Sequence, residues 1–331
     1  MPSLKSHHTF SLQAECQSIV EFNSADAFLS AYNKADVAYI LGEGSNTLFL
    51  EDYQGTVFIN RIAGINHFDT ESHHHISVGA GESWHEFVTL CMHNGWYGLE
   101  NLALIPGSVG ACPIQNIGAY GIEVGKFINS VEAVLLSTGE KIIIKGVECN
   151  FAYRDSIFKN ELANKVLITQ VNFVLPKVYS LETCYGELSK LTAPTAQHIF
   201  NAVIEIRKSK LPDPVEFGNA GSFFKNPVIS TSHFETLKST YGNIPGFRVS
   251  SDETKVPAAW LIDQAGFKGK VLNQVRCHPT QPLVLTNLGN AKGKDVITLA
   301  QAIVRDVSEK FKIQLEPEVR LVGAKGVIDL V

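Results

Sequence analysis

Five short segments of this sequence carry residue types whose spacing suits chemistry. The first is Leu41-Gly42-Glu43-Gly44-Ser45-Asn46-Thr47, directly after a strand-like apolar run. Its two glycines let the backbone turn tightly enough for N–H groups to converge on an anion such as a diphosphate. It lacks both the G-x-G-x-x-G spacing of a dinucleotide fingerprint and the lysine of a P-loop, so a plain turn fits the same residues. The second is Ile105-Pro106-Gly107-Ser108-Val109-Gly110-Ala111, with Gln115-Asn116-Ile117-Gly118-Ala119-Tyr120-Gly121 behind it. Small residues let a cofactor lie against backbone, and Gln115 and Asn116 offer hydrogen bonds to a ring system or a pyrophosphate. A compact connection between subdomains would have the same composition.

The third segment, Tyr153-Arg154-Asp155-Ser156, places a guanidinium that can clamp a carboxylate beside a tyrosine that can add one more bond; a surface loop is the competing reading. The fourth, Gly218-Asn219-Ala220-Gly221-Ser222-Phe223-Phe224-Lys225-Asn226-Pro227, sets Ser222 at the tip of a glycine turn with two aromatics that exclude water. It has no G-x-S-x-G elbow and nothing that orders a His and an Asp around the serine. Acyl transfer is therefore not the expected chemistry, whereas donating one proton to a carbanion needs only a positioned hydroxyl. In the fifth, Leu315-Glu316-Pro317-Glu318-Val319-Arg320, an extended backbone puts Glu318 and Arg320 on one face. That is either an edge strand with surface charges or a carboxylate tuned by the neighbouring arginine.

These segments need elements to hold them. Ala25, Phe28, Leu29 and Tyr32 fall at helical spacing, followed by a strand over Val37 to Leu41; Val57 to Ile59 and Ile76 to Val78 are further strands. Ser83 and Glu86 have the spacing of a capping box for a helix that Gly95 ends. Leu99 to Gly125 is glycine-punctuated and too apolar for a solvated linker, so it is expected to serve a site. Val131 to Leu136 and Lys141 to Ile144 flank a turn as a hairpin, and Val166 to Phe173 and Val203 to Arg207 are expected strands. Lys210-Leu211-Pro212-Asp213-Pro214 marks a boundary. Beyond it come a helix over Ala258 to Gln264, an amphipathic helix through Val296, Ala300, Ile303, Val307 and Phe311, and an extended stretch over Leu315 to Leu321. Strand-helix alternation suggests α/β layers with small or mixed sheets.

The chain has 331 residues, 45% hydrophobic and 18% charged, with a formal charge of -5. Two or three domains are allowed, and the charge gives no bias toward nucleic acid or anionic lipid. No stretch approaches the ~20 apolar residues of a membrane span. The first ten residues, with His7, His8 and Thr9 after Lys5, lack the apolar core of a signal peptide, so export is not expected. Six scattered cysteines fit reduced thiols in the cytosol. His73, His74 and His75 are expected on a solvated turn. No H-E-x-x-H or clustered Cys/His spacing is present, so no metal site is expected.

In their order and separations the five segments resemble the UDP-N-acetylenolpyruvoylglucosamine reductase family over nearly the whole chain. Gly218 to Pro227 followed by the terminal Glu-Pro-Glu-Val-Arg carries most of the likeness. Trp260 to Gln264, Pro279-Thr280-Gln281 and Thr183 to Glu187 also fit, the last matching the longer form of the family.

The resemblance implies an α+β fold. A two-subdomain FAD-binding region of the PCMH or vanillyl-alcohol-oxidase type (residues 1–61 with 322–331 returning to it, then 62–210) precedes an α+β substrate-binding domain at 211–321. It implies noncovalent FAD held by Gly42, Glu43, Gly44, Ser45, Asn46 and Thr47 and by Pro106, Gly107, Ser108, Gly110, Ala111, Gln115, Asn116, Gly118, Ala119, Tyr120 and Gly121. NADPH would be the reductant, and the enolpyruvyl ether of UDP-N-acetylglucosamine the substrate. Ser222 would be the proton donor, with Arg154 and Glu318 stabilising the intermediate. Tyr153, Tyr185, Lys210, Lys225, Asn226, Phe247, Gln281 and Arg320 would contact substrate. At Phe247 the longer form of the family carries a tyrosine against the diphosphate, so this chain lacks that hydroxyl, with Arg248 the neighbouring charge. A cytoplasmic monomer of peptidoglycan precursor synthesis, with no nucleic-acid partner, follows from the same likeness. Two rivals are an FAD oxidase of a sugar or hydroxy acid, which often needs a covalent His or Cys anchor, and a nucleotide-sugar binder that has lost Ser222 or Glu318. Neither matches these residues.

Overall fold

The computed structural model describes residues 1–330 as two compact units. One comprises residues 18–43 and 55–209, the other residues 1–17, 44–54 and 210–330. Helices alternate with mostly antiparallel sheets, an α+β architecture.

The first unit is built on a five-stranded sheet in the order Lys141–Lys145, Ile128–Leu135, Val166–Pro176, His73–Gly79, Ile65–Asp69, antiparallel throughout. The hairpin expected at 131–144 is its first pair. Two helices cover the sheet with aliphatic and aromatic side chains. Trp84–Asn94 buries Trp84, Phe87, Val88, Cys91 and Met92, and Ala196–Lys210 buries Ala196, Ile199, Phe200, Val203 and Ile206. The first ends as the sequence predicts, with Gly95 at φ 74. Its start differs: Ser83 is the N-cap, but its side chain makes no capping bond, while its backbone bridges to Ser108.

The second helix overturns the strand expected at Val203 to Arg207. Three β-branched residues within five positions have the composition of a strand, but the burial follows i, i+3, i+4, i+7 from Ala196, which only a helix satisfies. Thr195 starts it, its Oγ1 accepting the His198 N–H at 3.2 Å. His73, His74 and His75 likewise lie on a strand and not on a turn, since each pairs with a residue of Val166–Pro176. A smaller sheet, ordered Cys16–Phe22, Tyr53–Asn60, Ala38–Leu41, packs with helix Ala25–Tyr32 through Phe22, Phe28 and Phe58.

In the other unit, helices Thr231–Tyr241, Ala258–Gln264 and Gly293–Phe311 share a core with Phe10, Leu12, Phe223, Phe224 and Phe267. Strand Arg320–Gly323 pairs in parallel with Thr47–Phe49, and Gly326–Ile328 pairs antiparallel beside it. The C-terminal extended stretch is thus stitched to the segment that follows the first glycine motif. Among the described residues no helix is long and apolar enough to cross a membrane.

Candidate functional site

In the first unit the glycine-rich passage from Leu104 to Gly121 is held by side chains from several segments of the chain. The Glu43 carboxylate accepts the Gly107 N–H at 3.0 Å. A Cβ on Gly42 would stand 2.4 Å from Ser108 Oγ, so the two segments touch where glycine alone leaves room. Asn116, buried at 1% exposure with φ 44, spends its amide inside the protein. It donates to Glu123 (2.8 Å) and to the Ala152 carbonyl (3.0 Å), and its Oδ1 accepts the Gly125 N–H (2.9 Å). Its side chain therefore braces the loop.

Tyr153 and Arg154 form the tip of a two-residue turn closed by reciprocal Ala152–Asp155 backbone bonds. Arg154, at φ 54, donates from its guanidinium to the Gly118 carbonyl at 2.8 Å and lies over the Tyr153 ring. The Ser156 hydroxyl ties the turn to the Ile114 carbonyl at 2.6 Å. The guanidinium is thereby fixed against the passage assigned to the cofactor. Tyr185 stands edge-on to Tyr120 with ring centroids 6.4 Å apart.

Three residues of this framework have no motif and were missed in the sequence. Asn101, at 1% exposure, donates to both the Tyr120 and Glu182 carbonyls, joining the glycine-rich passage to the Tyr185 segment. The Leu104 peptide, at φ 56, is gripped at both ends: its N–H donates to His85 Nδ1 at 3.0 Å and its carbonyl accepts Arg207 Nε at 3.1 Å. Burial, then the Arg207 charge, holds His85 below its usual range, which keeps Nδ1 an acceptor. Burial also lowers Arg207, with Tyr120 opposing that shift and Arg154 adding to it, so these three are electrostatic neighbours. The strand expected at 203–207 concealed Arg207; helical spacing from Ile199 and Val203 would have placed it at the end of a buried face.

In the other unit the Ser222 turn is anchored by its neighbours in sequence and in space. Gly221 takes φ 68 and donates its N–H to Asn219 Oδ1 at 3.0 Å. Asn219 is held through the Thr9 hydroxyl on its carbonyl (2.6 Å), and a Cβ on Gly218 would meet the Phe10 carbonyl at 2.5 Å. Half-buried Ser222 bridges to Val284, next to Gln281, whose carbonyl accepts the Val284 N–H. On its other side the chain pairs with the terminal motif: Phe224 bridges Pro317, the Glu318 N–H donates to the Phe223 carbonyl at 2.8 Å, and the Lys225 N–H to the Glu316 carbonyl at 2.9 Å.

Glu318 is thus set one ladder position from Ser222. The Asn46 amide reaches the Glu318 carbonyl at 3.2 Å, and the Arg320 N–H donates to the Asn46 carbonyl. Lys225 pairs with Glu316 at 3.0 Å, and Asn226 Oδ1 accepts the first N–H of helix Ala258–Gln264. Phe247 pairs across strands with Lys255 and is 46% exposed; Lys210 ends helix Ala196–Lys210.

The residues present fit noncovalent FAD. Gly42 and Gly110 pack against the protein itself, where added Cβ atoms would stand 2.4 Å from Ser108 Oγ and 2.6 Å from Ala80 Cβ, so the two glycine-bearing segments are held compactly together. The cations Arg154 and Arg207 lie beside the glycine-rich passage. Cys112 within it is fully buried, and desolvation pushes its thiol well up, which disfavours the thiolate that a covalent link would need.

An α+β chain with these loops defines an FAD-binding oxidoreductase, and residues 17–145 match the FAD binding domain. Residues 213–322 match the family described as UDP-N-acetylenolpyruvoylglucosamine reductase, C-terminal domain. A UDP-N-acetylenolpyruvoylglucosamine reductase from Pseudoalteromonas atlantica is 50% identical over 98% of this chain and 95% of its own. One from Escherichia coli K12 is 46% identical over 99% and 98%. The crystal structure of the reductase from Thermus caldophilus shares the fold, with a TM-score of 0.65 at 23% identity over 96% of this chain and 97% of that one. The chain belongs to the UDP-N-acetylenolpyruvoylglucosamine reductase family.

Proposed function

We propose that this protein reduces the enolpyruvyl ether of UDP-N-acetylglucosamine to UDP-N-acetylmuramate, using NADPH and noncovalent FAD, in peptidoglycan precursor synthesis. The observation that supports the reading is the Glu318–Phe223 backbone bond, which pairs the terminal motif with the residue after Ser222 in a member of this family. The chemistry that bound FAD supplies is hydride transfer, from NADPH to the enolpyruvyl double bond. Gly42 to Thr47 and Pro106 to Gly121 hold it, with Asn116 and Arg207 keeping the second passage in shape. Residues 1–61, 62–210 and 322–331 serve the cofactor, and 211–321 the substrate.

Ser222 Oγ gives one proton to the substrate carbon that has become carbanionic next to its carboxylate. Serine is a weak acid, so the step relies on a strongly basic carbon and on apolar neighbours such as Phe223 and Phe224. Arg154 and Glu318 polarise the substrate at that carbon and carboxylate. Lys225 contributes charge toward the substrate's anionic groups; its partner Glu316 is 70% exposed, and an ion pair of that kind exchanges at little cost. Tyr153, Tyr185, Lys210, Asn226, Phe247, Gln281 and Arg320 contact the same substrate. The protein acts as a cytoplasmic monomer.

The test is to purify the protein, look for flavin absorbance that separates from the chain on denaturation, and follow NADPH oxidation with and without the enolpyruvyl substrate. Substrate-dependent oxidation with one lactyl ether formed per NADPH is expected. A protein that neither holds nor rebinds FAD would overturn the reading.

A further inference from the structure

We propose that His67, Asp69 and His74 form a binding site for a divalent transition-metal ion on the edge hairpin of the five-stranded sheet. None of the three is among the residues assigned to contact cofactor or substrate. Strands Ile65–Asp69 and His73–Gly79 run antiparallel with Asp69 opposite His74 and His67 opposite Ile76. Residues two apart on a strand share a face, and so do directly opposed residues. The register alone therefore gathers two imidazoles and one carboxylate that no sequence motif announces.

The side chains are close to a coordinating arrangement. Asp69 Oδ1 lies 2.9 Å from His67 Nε2 and 2.7 Å from His74 Nδ1, and the three ligand atoms fall within 4.8 Å of one another. Ligands at about 2.0–2.1 Å from a zinc ion stand roughly 3 Å apart, so an ion needs only small rotations of the rings. The Trp96 ring stacks on His67 with centroids 4.1 Å apart and fixes its plane. Lys177 Nζ sits 3.4 Å from Asp69 Oδ2, holding that oxygen and leaving Oδ1 toward the imidazoles. Its charge opposes a cation, which makes the site weaker than an isolated triad.

Two nitrogens and one oxygen suit zinc, nickel or copper; magnesium and calcium want more oxygens than the site has. The remaining coordination positions face solvent, with Asp69 47% and His67 25% exposed. An ion bound here would link the edge strand to its neighbour and stabilise the hairpin against opening.

The test is calorimetric titration of the intact protein with Zn2+, repeated with Mg2+, on wild type, His67→Ala, Asp69→Asn, His74→Ala and, as a control, His75→Ala. The control ring stacks on Phe68 (4.6 Å, 6°), and its position alternates away from His74. Expected is one equivalent of Zn2+ bound by wild type and by His75→Ala. Binding should weaken by about tenfold or more in each ligand variant, with no heat from Mg2+. Zinc taken by the exposed Cys184 thiol is common to all variants and cancels in the difference. Three ligand variants guard against one failing to fold, with circular dichroism as the check. Equal zinc binding by wild type and the folded ligand variants, or Mg2+ competing for the same equivalent, overturns the proposal.

Discussion

The backbone N–H of Glu318 donates to the carbonyl of Phe223 at 2.8 Å, joining residues 95 positions apart in sequence (318 − 223). Through that bond the backbone of the terminal motif pairs with the residue that follows Ser222, and Pro317 faces Phe224 one position further along the same short ladder. Proline fits there because Phe223 and Lys225 bond to Glu318 and Glu316 and require no donor at position 317.

Removing the hydroxyl should separate the two halves of the proposed reaction. In Ser222→Ala, reduction of the bound flavin by NADPH is expected at a near-normal rate, while its reoxidation by the enolpyruvyl substrate slows by at least about a hundredfold. Stopped-flow absorbance resolves both phases. Equal slowing of the two would assign Ser222 a structural role instead.

Asn116 is expected to matter for folding more than for chemistry. Asn116→Ala strips three part-buried hydrogen bonds and leaves Glu123, Ala152 and Gly125 short of partners, at a cost of about 2–4 kcal/mol. Urea unfolding monitored by tryptophan fluorescence measures it. A change under about 0.5 kcal/mol would show that the loop is braced elsewhere.

Arg207 should act on cofactor retention through the Leu104 peptide. Arg207→Leu leaves the Leu104 carbonyl without its 3.1 Å partner and removes one cation from beside Tyr120 and Arg154. Flavin affinity is expected to fall by about tenfold while far-ultraviolet circular dichroism is unchanged. Arg207→Lys should restore little, because an ammonium cannot reproduce the planar geometry of the Nε bond. Full retention of flavin by both variants would refute the positioning role.

His8 gives stability a pH dependence with a defined sign. Buried at 3% exposure, with Nδ1 lacking a partner, it is held at a pKa of about 4 by desolvation, against 6.5 when unfolded. Between those values the unfolded chain binds the proton and the folded one does not, so stability is full above about pH 7 and is lost as pH falls through that window. The loss attributable to His8 is roughly 2 kcal/mol at about pH 5. Denaturant melts at about pH 7.5 and about pH 5 should show wild type losing more than His8→Asn by that amount. Parallel losses would mean that His8 does not carry the effect.

Much of the framework was legible before any coordinates. Helices Ala25–Tyr32, Trp84–Asn94, Ala258–Gln264 and Gly293–Phe311 and the hairpin Ile128–Lys145 follow from side-chain periodicity, which reports which face of a local element avoids water. The glycine-rich passage was legible as a place where backbone must approach closely, and Gly42 against Ser108 bears that out. Periodicity failed at Val203 to Arg207, where a short β-branched window outweighed a longer helical pattern that only packing on the sheet enforces.

The sequence by itself determined the residue types: a serine on a glycine turn without a triad, an arginine on a tight turn, and a carboxylate beside a proline. Local propensity and steric freedom set those features within a few residues of each position. The tertiary structure decided which distant groups meet. The parallel pairing of Thr47–Phe49 with Arg320–Gly323, the grip of His85 and Arg207 on one peptide, and the gathering of His67, Asp69 and His74 all depend on strand register and helix docking. The first two are long-range choices made by burying apolar faces together, which no short window of sequence encodes, and the third is a strand register that the folded sheet fixes.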